Sequence, residues 1–106
     1  LYNKAMTSIR LTWDHNKAES NRRKHGVSFE DAARVFLDPL HLTHQDRIEG
    51  GEYRWQTIGR IYGITVLLVA HTVTEETEPE PVEVIRIISA RKATKAERKR
   101  YEHEAH

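Results

Sequence analysis

The stretch ITVLLVAHTV, at residues 64–73, constrains the fold more than any other part of the sequence. Apolar side chains occupy both alternating faces of this stretch, whereas a strand with one face in water alternates apolar and polar residues. Gly63 lies directly before it and is typical of a tight turn from an earlier strand. The sequence therefore predicts that residues 64–73 form the central strand of a sheet.

Three other stretches are predicted to complete an antiparallel meander. They are residues 40–46, as a short edge strand, residues 54–62, as a strand with mixed faces, and residues 82–90. The sequence IEGGEY, at residues 48–53, is typical of a turn between the first two. The acidic sequence TEETEPEP, at residues 74–81, contains prolines, which cannot donate to a sheet, so it is predicted to be a solvated loop.

Helices are predicted on both sides of this meander in the sequence. The motif KHGVSFED indicates that one helix, capped at Asp14, ends near His25 and that another begins at the cap Ser28, with Gly26 in the left-handed conformation between them. Thr94 opens a third helix. An apolar stripe at helical spacing marks the second helix and comprises Phe29, Ala32, Ala33, Phe36 and Leu37.

The order of these elements predicts an α+β fold. It consists of a short N-terminal strand, two helices, a four-stranded antiparallel meander and a C-terminal helix, with the helices on one face of the sheet. A chain of 106 residues is expected to form one domain, covering residues 6–106. Residues 1–5 precede Met6 and are expected to be a remnant of an expression vector.

Several function classes are disfavoured by composition and motifs. The chain has no cysteine, which excludes disulfides, thiolate zinc sites and cysteine nucleophiles and indicates a reducing cytoplasm. No apolar run approaches the roughly 20 residues of a membrane span. The histidines show no metal-ligand spacing, and no phosphate-binding glycine motif or serine nucleophile motif is present. We therefore expect no metal, no cofactor and no membrane partner.

The formal net charge of +1 conceals a polarised distribution. From residue 84 to the end there are seven Lys and Arg residues against three acids, whereas five glutamates lie together at residues 75–83. Arg86 interrupts the apolar sequence VIRIIS, and alternation predicts that it shares a face with Val84, Ile88 and Ala90. A buried guanidinium needs an anion, so Arg86 either pairs with a carboxylate of the chain or faces an anionic ligand. Both alternatives are open at this point.

A sheet face that carries arginines beside a basic helix is a candidate RNA-binding surface. Arg54 and Arg60 lie on one alternating face of a predicted strand, and His71 lies toward the end of the central strand. Taken alone, His71 is more consistent with a buried core histidine than with a catalytic one; Tyr101 can pack its ring inward with its hydroxyl at the rim, although plain packing is the commoner role. A cluster of positive charge on a solvated face is the other explanation.

Three stretches together resemble a known family. WDHNKAESNRRKHGVSFEDAARVF, EYRWQTIGR and VIRIISARKATKAERKRYE are similar, in order and spacing, to the BrnT family of bacterial toxins over residues 13–102. The resemblance implies a RelE-like fold, an RNA-cleaving activity that arrests translation, and neutralisation by a BrnA-type antitoxin. It further implies a heterotetramer built around an antitoxin dimer, in which the antitoxin supplies any DNA contact. The acidic stretch at residues 74–81 is longer than the turn usual in the family.

Carried over position by position, the family pattern implies a catalytic group comprising Arg54, His71, Arg86, Arg91, Lys92 and Tyr101. His71 is our choice for the general base or acid, since its pKa lies nearest neutrality. The surrounding cations are expected to bind RNA, and they are Arg60, Lys95, Arg98 and Lys99. Attack by the 2′-hydroxyl without a metal ion would leave a cyclic phosphate. The alternative is a module that binds nucleic acid or protein through the same basic face without catalysis.

Overall fold

The structure of the protein is a computed structural model that describes residues 8–104. The elements in chain order are β1 (Ser8–Trp13), α1 (His15–His25), α2 (Phe29–Ala33), a 3₁₀ helix (Arg34–Leu37), β2 (Leu42–Glu49), β3 (Glu52–Ile61), β4 (Thr65–Glu76), β5 (Val82–Lys92) and α3 (Lys95–Glu104). Residues 1–5, expected to be a remnant, lie outside the described residues.

The strands form one mixed sheet of five strands in the order β1-β5-β4-β3-β2. Strands β2 to β5 are the predicted antiparallel meander, and β4 lies at the centre, as its apolar sequence predicted. Strand β1 extends the sheet by pairing in parallel with β5. The α+β class and the order of elements are therefore confirmed.

The predicted helix caps are present. The side chains of Asp14 and Ser28 each accept a backbone N–H from three residues further on, at 3.0 Å. Gly26, after α1, has a φ of 70° and therefore the left-handed conformation that glycine tolerates best. Thr94 and Glu97 form a reciprocal capping box, with side-chain to backbone distances of 3.2 and 2.8 Å.

The predicted second helix differs from the structure, because it tightens after Ala33 into the 3₁₀ helix. Val35 follows Ala32 by three residues, so both lie on the face of the helical segment that meets the core, and both are 0 % exposed. Leu37, predicted to be part of the apolar stripe, is 75 % exposed. The 3₁₀ helix can approach the sheet closely because β3 offers Gly59 there: a Cβ on Gly59 would lie 2.8 Å from Cγ1 of Val35.

The two faces of the sheet are both covered, which corrects the prediction of helices on one face. On the α1/α2 face, Phe29 and Val35 pack against Leu67, Val69 and other core side chains. On the opposite face, here called the α3 face, Tyr101 of α3 packs in a second core cluster, whose other members are Ile58, Val66, Leu68 and Ala93. The part of the α3 face beyond α3 carries polar side chains and is the surface considered below.

The acidic loop is shorter than predicted. Strand β4 continues through Glu75 and Glu76, which pair with Glu83 and Val82 of β5, so only residues 77–81 connect the two strands. Glu76 accepts a hydrogen bond from Arg10 of β1 at 2.7 Å. A neighbouring cation therefore allows acidic residues to remain in the sheet where their sequence predicted a loop.

A β-bulge in β5 changes which side chains share a face. Ala70 of β4 pairs with Ser89, whereas the next residue, His71, pairs with Ile87, so Ile88 is an extra residue in β5. The predicted alternation from Arg86 through Ile88 to Ala90 is therefore wrong, and Ala90 lies with Ile87 in the α1/α2 core. Because the bulge reverses the alternation, Arg86 and Arg91 lie on the same face although they are an odd number of residues apart.

Candidate functional site

The register of the sheet places five arginines on the α3 face. Arg91 pairs with Leu68 and Arg60 pairs with Val66, and both partners belong to the core beneath α3. Strand alternation and the pairing register also place one arginine from each of β1, β3 and β5 on this face, and these are Arg10, Arg54 and Arg86. The prediction that Arg54 and Arg60 share a face is confirmed, and three strands contribute arginines to one surface.

Each of these arginines is paired with a glutamate. The pairs and their N···O distances are Arg10–Glu76 at 2.7 Å, Arg86–Glu52 at 2.8 Å, Arg91–Glu97 at 2.8 Å, Arg60–Glu102 at 3.3 Å and Arg54–Glu49 at 3.6 Å. The carboxylates offset much of the positive charge, and Arg86 pairs with a carboxylate of the chain, which is one of the two alternatives that the sequence left open. An anionic ligand has to compete with the glutamates for the guanidinium groups.

Two of these pairs lie together at the end of the sheet away from α3. Strand β3 pairs with β4 only from Trp55 onward, whereas Glu52, at the start of β3, pairs with Glu49 of β2. The β2–β3 hairpin therefore separates from strand β4 at residues 52–54. A cavity of about 360 Å³ between them is lined by side chains that include Glu52, Trp55 and Thr72. We call this group the Arg54/Arg86 cluster; it consists of Glu49, Glu52, Arg54 and Arg86.

The two arginines of the Arg54/Arg86 cluster differ in exposure. The side chain of Arg86 is 47 % exposed, which corrects the prediction of a buried guanidinium. The side chain of Arg54 is 18 % exposed, and its Nε is buried without a hydrogen-bond partner among residues 8–104. A buried donor without an acceptor is costly, and because this nitrogen is closed to solvent, an anion reaches it only if the surrounding side chains rearrange.

Arg91 is held by α3. Two of its guanidinium nitrogens donate to the two carboxylate oxygens of Glu97, at 2.8 and 3.0 Å. The hydrogen bond from Arg91 is the largest cause that lowers the pKa of Glu97 to about 2, and the same bond raises the pKa of Arg91. Glu97 holds the Arg91 guanidinium toward α3, whereas Arg86 contacts Glu52, about 16 Å further along the strand.

Tyr101 is buried in the core beneath α3. Its residue is 1 % exposed, and its hydroxyl donates to the carboxylate of Asp38. Burial, together with this hydrogen bond, raises the pKa of Tyr101 to about 12. Asp38 also accepts the backbone N–H of Arg60 at 2.7 Å, so Tyr101 fastens α3 to the chain beside β3. Asp38 therefore holds the hydroxyl of Tyr101, and Tyr101 lines a cavity of about 260 Å³ with Arg60.

His71 does not lie with the arginines. It follows the α1/α2 face, packs edge-on against Phe36 with ring centroids 5.1 Å apart, and is 1 % exposed. Its Nε2 lies 2.7 Å from the hydroxyl of Thr57. Burial lowers the pKa of His71 to about 4, so the ring is neutral at physiological pH. The structure therefore does not bring His71 together with Arg86; on the α1/α2 face it lines a cavity of about 350 Å³ with His41 and Glu83.

The other predicted cations lie nearer α3. Lys92 pairs with Leu67, so it leaves β5 on the side opposite to Arg91, and with Arg98 it lines a shallow cavity of about 270 Å³. Lys95, Arg98 and Lys99 are exposed on α3. The structure does not bring Lys92 together with Arg86.

Sequence reasoning missed the glutamates of the site and one buried amide. Glu52 lies two residues before Arg54, so strand alternation alone would have placed both on one face. Asn21 of α1 is 6 % exposed and bonds the backbone of β5 and of Val27. The weak apolar pattern of α1 was the available signal, because a helix with few apolar residues needs polar contacts to hold it on the sheet.

The environment of His71 predicts a pH-dependent stability. In the unfolded chain the pKa of His71 has its ordinary value of 6.5, whereas in the folded protein burial lowers this pKa to about 4. Between these two pH values the unfolded chain therefore binds more protons than the folded protein. The free energy of unfolding is therefore expected to fall as the pH falls from 6.5 to 4, by about 3 kcal/mol from this group. Urea unfolding of wild type and His71→Gln across this range measures it, and equal slopes for both would contradict the assignment.

A small α+β protein with an arginine-rich sheet face beside a helix belongs to the class suited to binding a polyanion. No helix among residues 8–104 is long and apolar enough to cross a membrane. In the same part of the chain, no group of three or more histidine, cysteine or acidic side chains could hold a metal ion.

Comparison with known proteins identifies the family. A family model described as the ribonuclease toxin BrnT of type II toxin–antitoxin systems matches residues 13–97. The chain therefore belongs to the BrnT family of ribonuclease toxins, and a type II family implies an antitoxin partner. It is similar to the crystal structure of the Brucella abortus ribonuclease toxin BrnT, with a TM-score of 0.59 and 24 % identity over 84 % of this chain and 100 % of that one. No curated protein matches the chain.

Proposed function

We propose that this protein is an endoribonuclease that cleaves RNA without a metal ion, through attack of the 2′-hydroxyl on the adjacent phosphate. The reaction would leave a 2′,3′-cyclic phosphate and a 5′-hydroxyl, and cleavage of cellular RNA would arrest translation. The observation that carries the proposal is the gathering of five arginines from three strands on the α3 face. Membership of a ribonuclease toxin family supports the reaction class.

The Arg54/Arg86 cluster is the best position for the scissile phosphate. Arginine carries a permanent charge and a planar set of donors that matches phosphate oxygens, so it can stabilise charge that grows on the phosphate. Arg86 is half-exposed and therefore accessible, and part of the Arg54 side chain is exposed on the same face. A phosphate could bind the donors of Arg86 that Glu52 does not use, and at Arg54 it would replace Glu49, which exchanges one anion for another.

Other cations extend the surface toward α3. Glu102 and Glu97 hold Arg60 and Arg91 beside α3, so these arginines would contact neighbouring phosphates of the same strand, at the cost of their bonds to glutamates. The exposed cations of α3 would add sequence-independent attraction, and they are Lys95, Arg98 and Lys99, whereas Lys92 leaves β5 on the other side of the sheet. This division gives RNA an extended path across the face.

The antitoxin is proposed to be of the BrnA type and to act in the cytoplasm by covering the α3 face. A stable interface buries on the order of 1,600 Å² in total, which is a large share of the surface of so small a protein. We propose a heterotetramer in which an antitoxin dimer joins two toxin chains and supplies the contacts to DNA. An inhibitory complex that left the Arg54/Arg86 cluster exposed would contradict this mode of inhibition.

Purified protein incubated with RNA tests the proposal. We expect cleavage to continue in EDTA, because arginine side chains can supply the positive charge that a metal ion would otherwise provide. The products should carry cyclic phosphate termini, and a single 2′-deoxy substitution at the cleaved position should block the reaction. Loss of activity in EDTA with recovery in magnesium, or 5′-phosphate products, would overturn the mechanism. Tight binding without cleavage would favour a non-catalytic module.

A further inference from the structure

The α3 face contains the cations that the proposed reaction needs, but the predicted base, His71, lies on the other face and is buried. An acceptor for the proton of the 2′-hydroxyl therefore has to come from elsewhere. The acidic side chains of the α3 face are the candidates, since they already lie beside the arginines. We propose that Glu52 is the general base of the ribonuclease, an assignment that rests on the proposed function.

The position of Glu52 supports this role. It lies at the start of β3, two residues before Arg54, and its Oε1 accepts a hydrogen bond from Arg86 at 2.8 Å. Its side chain is 43 % exposed, and among residues 8–104 only Oε1 has a partner. The second oxygen is free to accept a proton. In a ribonucleotide the 2′-hydroxyl is adjacent to the 3′-phosphate, so a base beside a phosphate-binding arginine meets both groups.

The other glutamates of this face are less suited. Both oxygens of Glu97 accept from Arg91, and the pKa of about 2 makes Glu97 a weak base. Glu102 and Glu76 each pair with an arginine outside the Arg54/Arg86 cluster. Glu49 lies 3.6 Å from both Arg54 and Arg47, so two cations share its charge. Glu52 alone combines a short contact to Arg86 with a free oxygen.

The proton balance of the step is complete with water as the acid. The carboxylate of Glu52 takes the proton of the 2′-hydroxyl while the 2′-oxygen forms a bond to phosphorus. The bond from phosphorus to the 5′-oxygen breaks, and that oxygen takes a proton from solvent water. Arg86 and Arg54 stabilise the charge on the phosphate oxygens. The protonated Glu52 then returns its proton to the hydroxide formed from that water.

The charged groups that face Glu52 come from three strands. Arg86 contacts it from β5, Arg54 lies next to it on the same face of β3, and Glu49 is its pairing partner in β2. The neighbouring part of β4 contributes Thr72 and Thr74, which do not titrate in the working range. The pH dependence of cleavage would therefore report on a carboxylate between two arginines and one other carboxylate.

The test compares pH–rate profiles of wild type, Glu52→Gln and Glu52→Asp with a defined RNA oligonucleotide. The wild type should show an acidic limb of unit slope from one group that must lose its proton. Glu52→Gln should lower kcat by about 100-fold or more and lose this limb, because general bases typically contribute 10²–10⁴-fold. Glu52→Asp should keep the limb and recover part of the rate, since it retains a carboxylate.

Glu76→Gln is the matched control, because it breaks another half-exposed Arg–Glu pair of the same face and should change kcat less than threefold. If Glu52 only positioned Arg86, the amide oxygen of Glu52→Gln could still accept from Arg86, and the acidic limb would persist. A persistent limb, or a rate within threefold of wild type, overturns the assignment while leaving the ribonuclease intact. A wild-type protein that does not cleave RNA overturns the proposed function and this assignment together.

Discussion

Arg86→Ala is expected to lower kcat/KM for RNA cleavage by two to three orders of magnitude while the protein stays folded. A positioned donor that stabilises a growing negative charge contributes roughly 2.7–4 kcal/mol in the transition state, which corresponds to this loss of rate. The effect on stability should be small, because the side chains of Arg86 and Glu52 are 47 % and 43 % exposed and exposed ion pairs contribute about 1 kcal/mol or less. Single-turnover cleavage and thermal unfolding on the same preparation measure both quantities.

Two further variants separate geometry from charge. Arg86→Lys keeps the positive charge but loses the planar set of donors, so a bidentate contact to phosphate predicts a loss nearly as large as that of alanine. Lys99→Ala is the control on α3, where the exposed lysine should affect RNA affinity modestly and reduce its salt dependence without abolishing turnover. A folded and fully active Arg86→Ala would remove Arg86 from the site.

The elements that sequence predicted well depend on local chemistry. The cap at Asp14, the left-handed Gly26 and the Thr94–Glu97 box each involve residues within a few positions of one another, so short motifs specify them. The central position of β4 followed from apolar side chains on both faces. Features of this kind need no knowledge of distant contacts.

The mistaken predictions all depend on contacts between distant residues. The bulge at Ile88 reflects the pairing of β4 with β5 and has no signal in a pattern that alternates without interruption. His71 lies in an apolar strand, and its contacts with Thr57 and Phe36 of other elements show which face of the sheet it occupies. The face of a strand residue is predictable while the register is regular, and one extra residue reverses it.

The charges of the site illustrate the same limit. A count of arginines and lysines predicted a basic face, but the partners of those arginines come from distant positions, as in the pairs Arg86–Glu52 and Arg60–Glu102. The pairing also gives the free protein a defined arrangement of guanidinium groups before RNA binds. Preorganised donors need little rearrangement during the reaction, which is the condition under which electrostatic stabilisation is most effective.

Asn21→Ala is expected to lower the free energy of unfolding by about 3 kcal/mol or more, since each buried polar group left unpaired costs roughly 1–3 kcal/mol. The Nδ2 of Asn21 donates to the carbonyl oxygens of Val27 and Ala90, at 3.0 and 2.9 Å, and its Oδ1 accepts from the N–H of Ala90 at 3.0 Å. Strand β1 ends its pairing with β5 at Ile87, so the amide of Asn21 takes the place of a neighbouring strand at Ala90.

Asn16→Ala is the matched control, because Asn16 lies on the same helix, is exposed, and gains the same helix propensity from alanine. Urea unfolding should show a near-normal midpoint for Asn16→Ala and a much lower one for Asn21→Ala. Since small proteins are stable by only about 5–15 kcal/mol, a loss of this size would also expose Asn21→Ala to proteolysis at 37 °C. Equal midpoints for the two variants would show that Asn21 does not hold α1 on β5. Cleavage by the folded fraction of Asn21→Ala should remain normal, because the amide bonds the edge of β5 on the side of α1, away from the Arg54/Arg86 cluster.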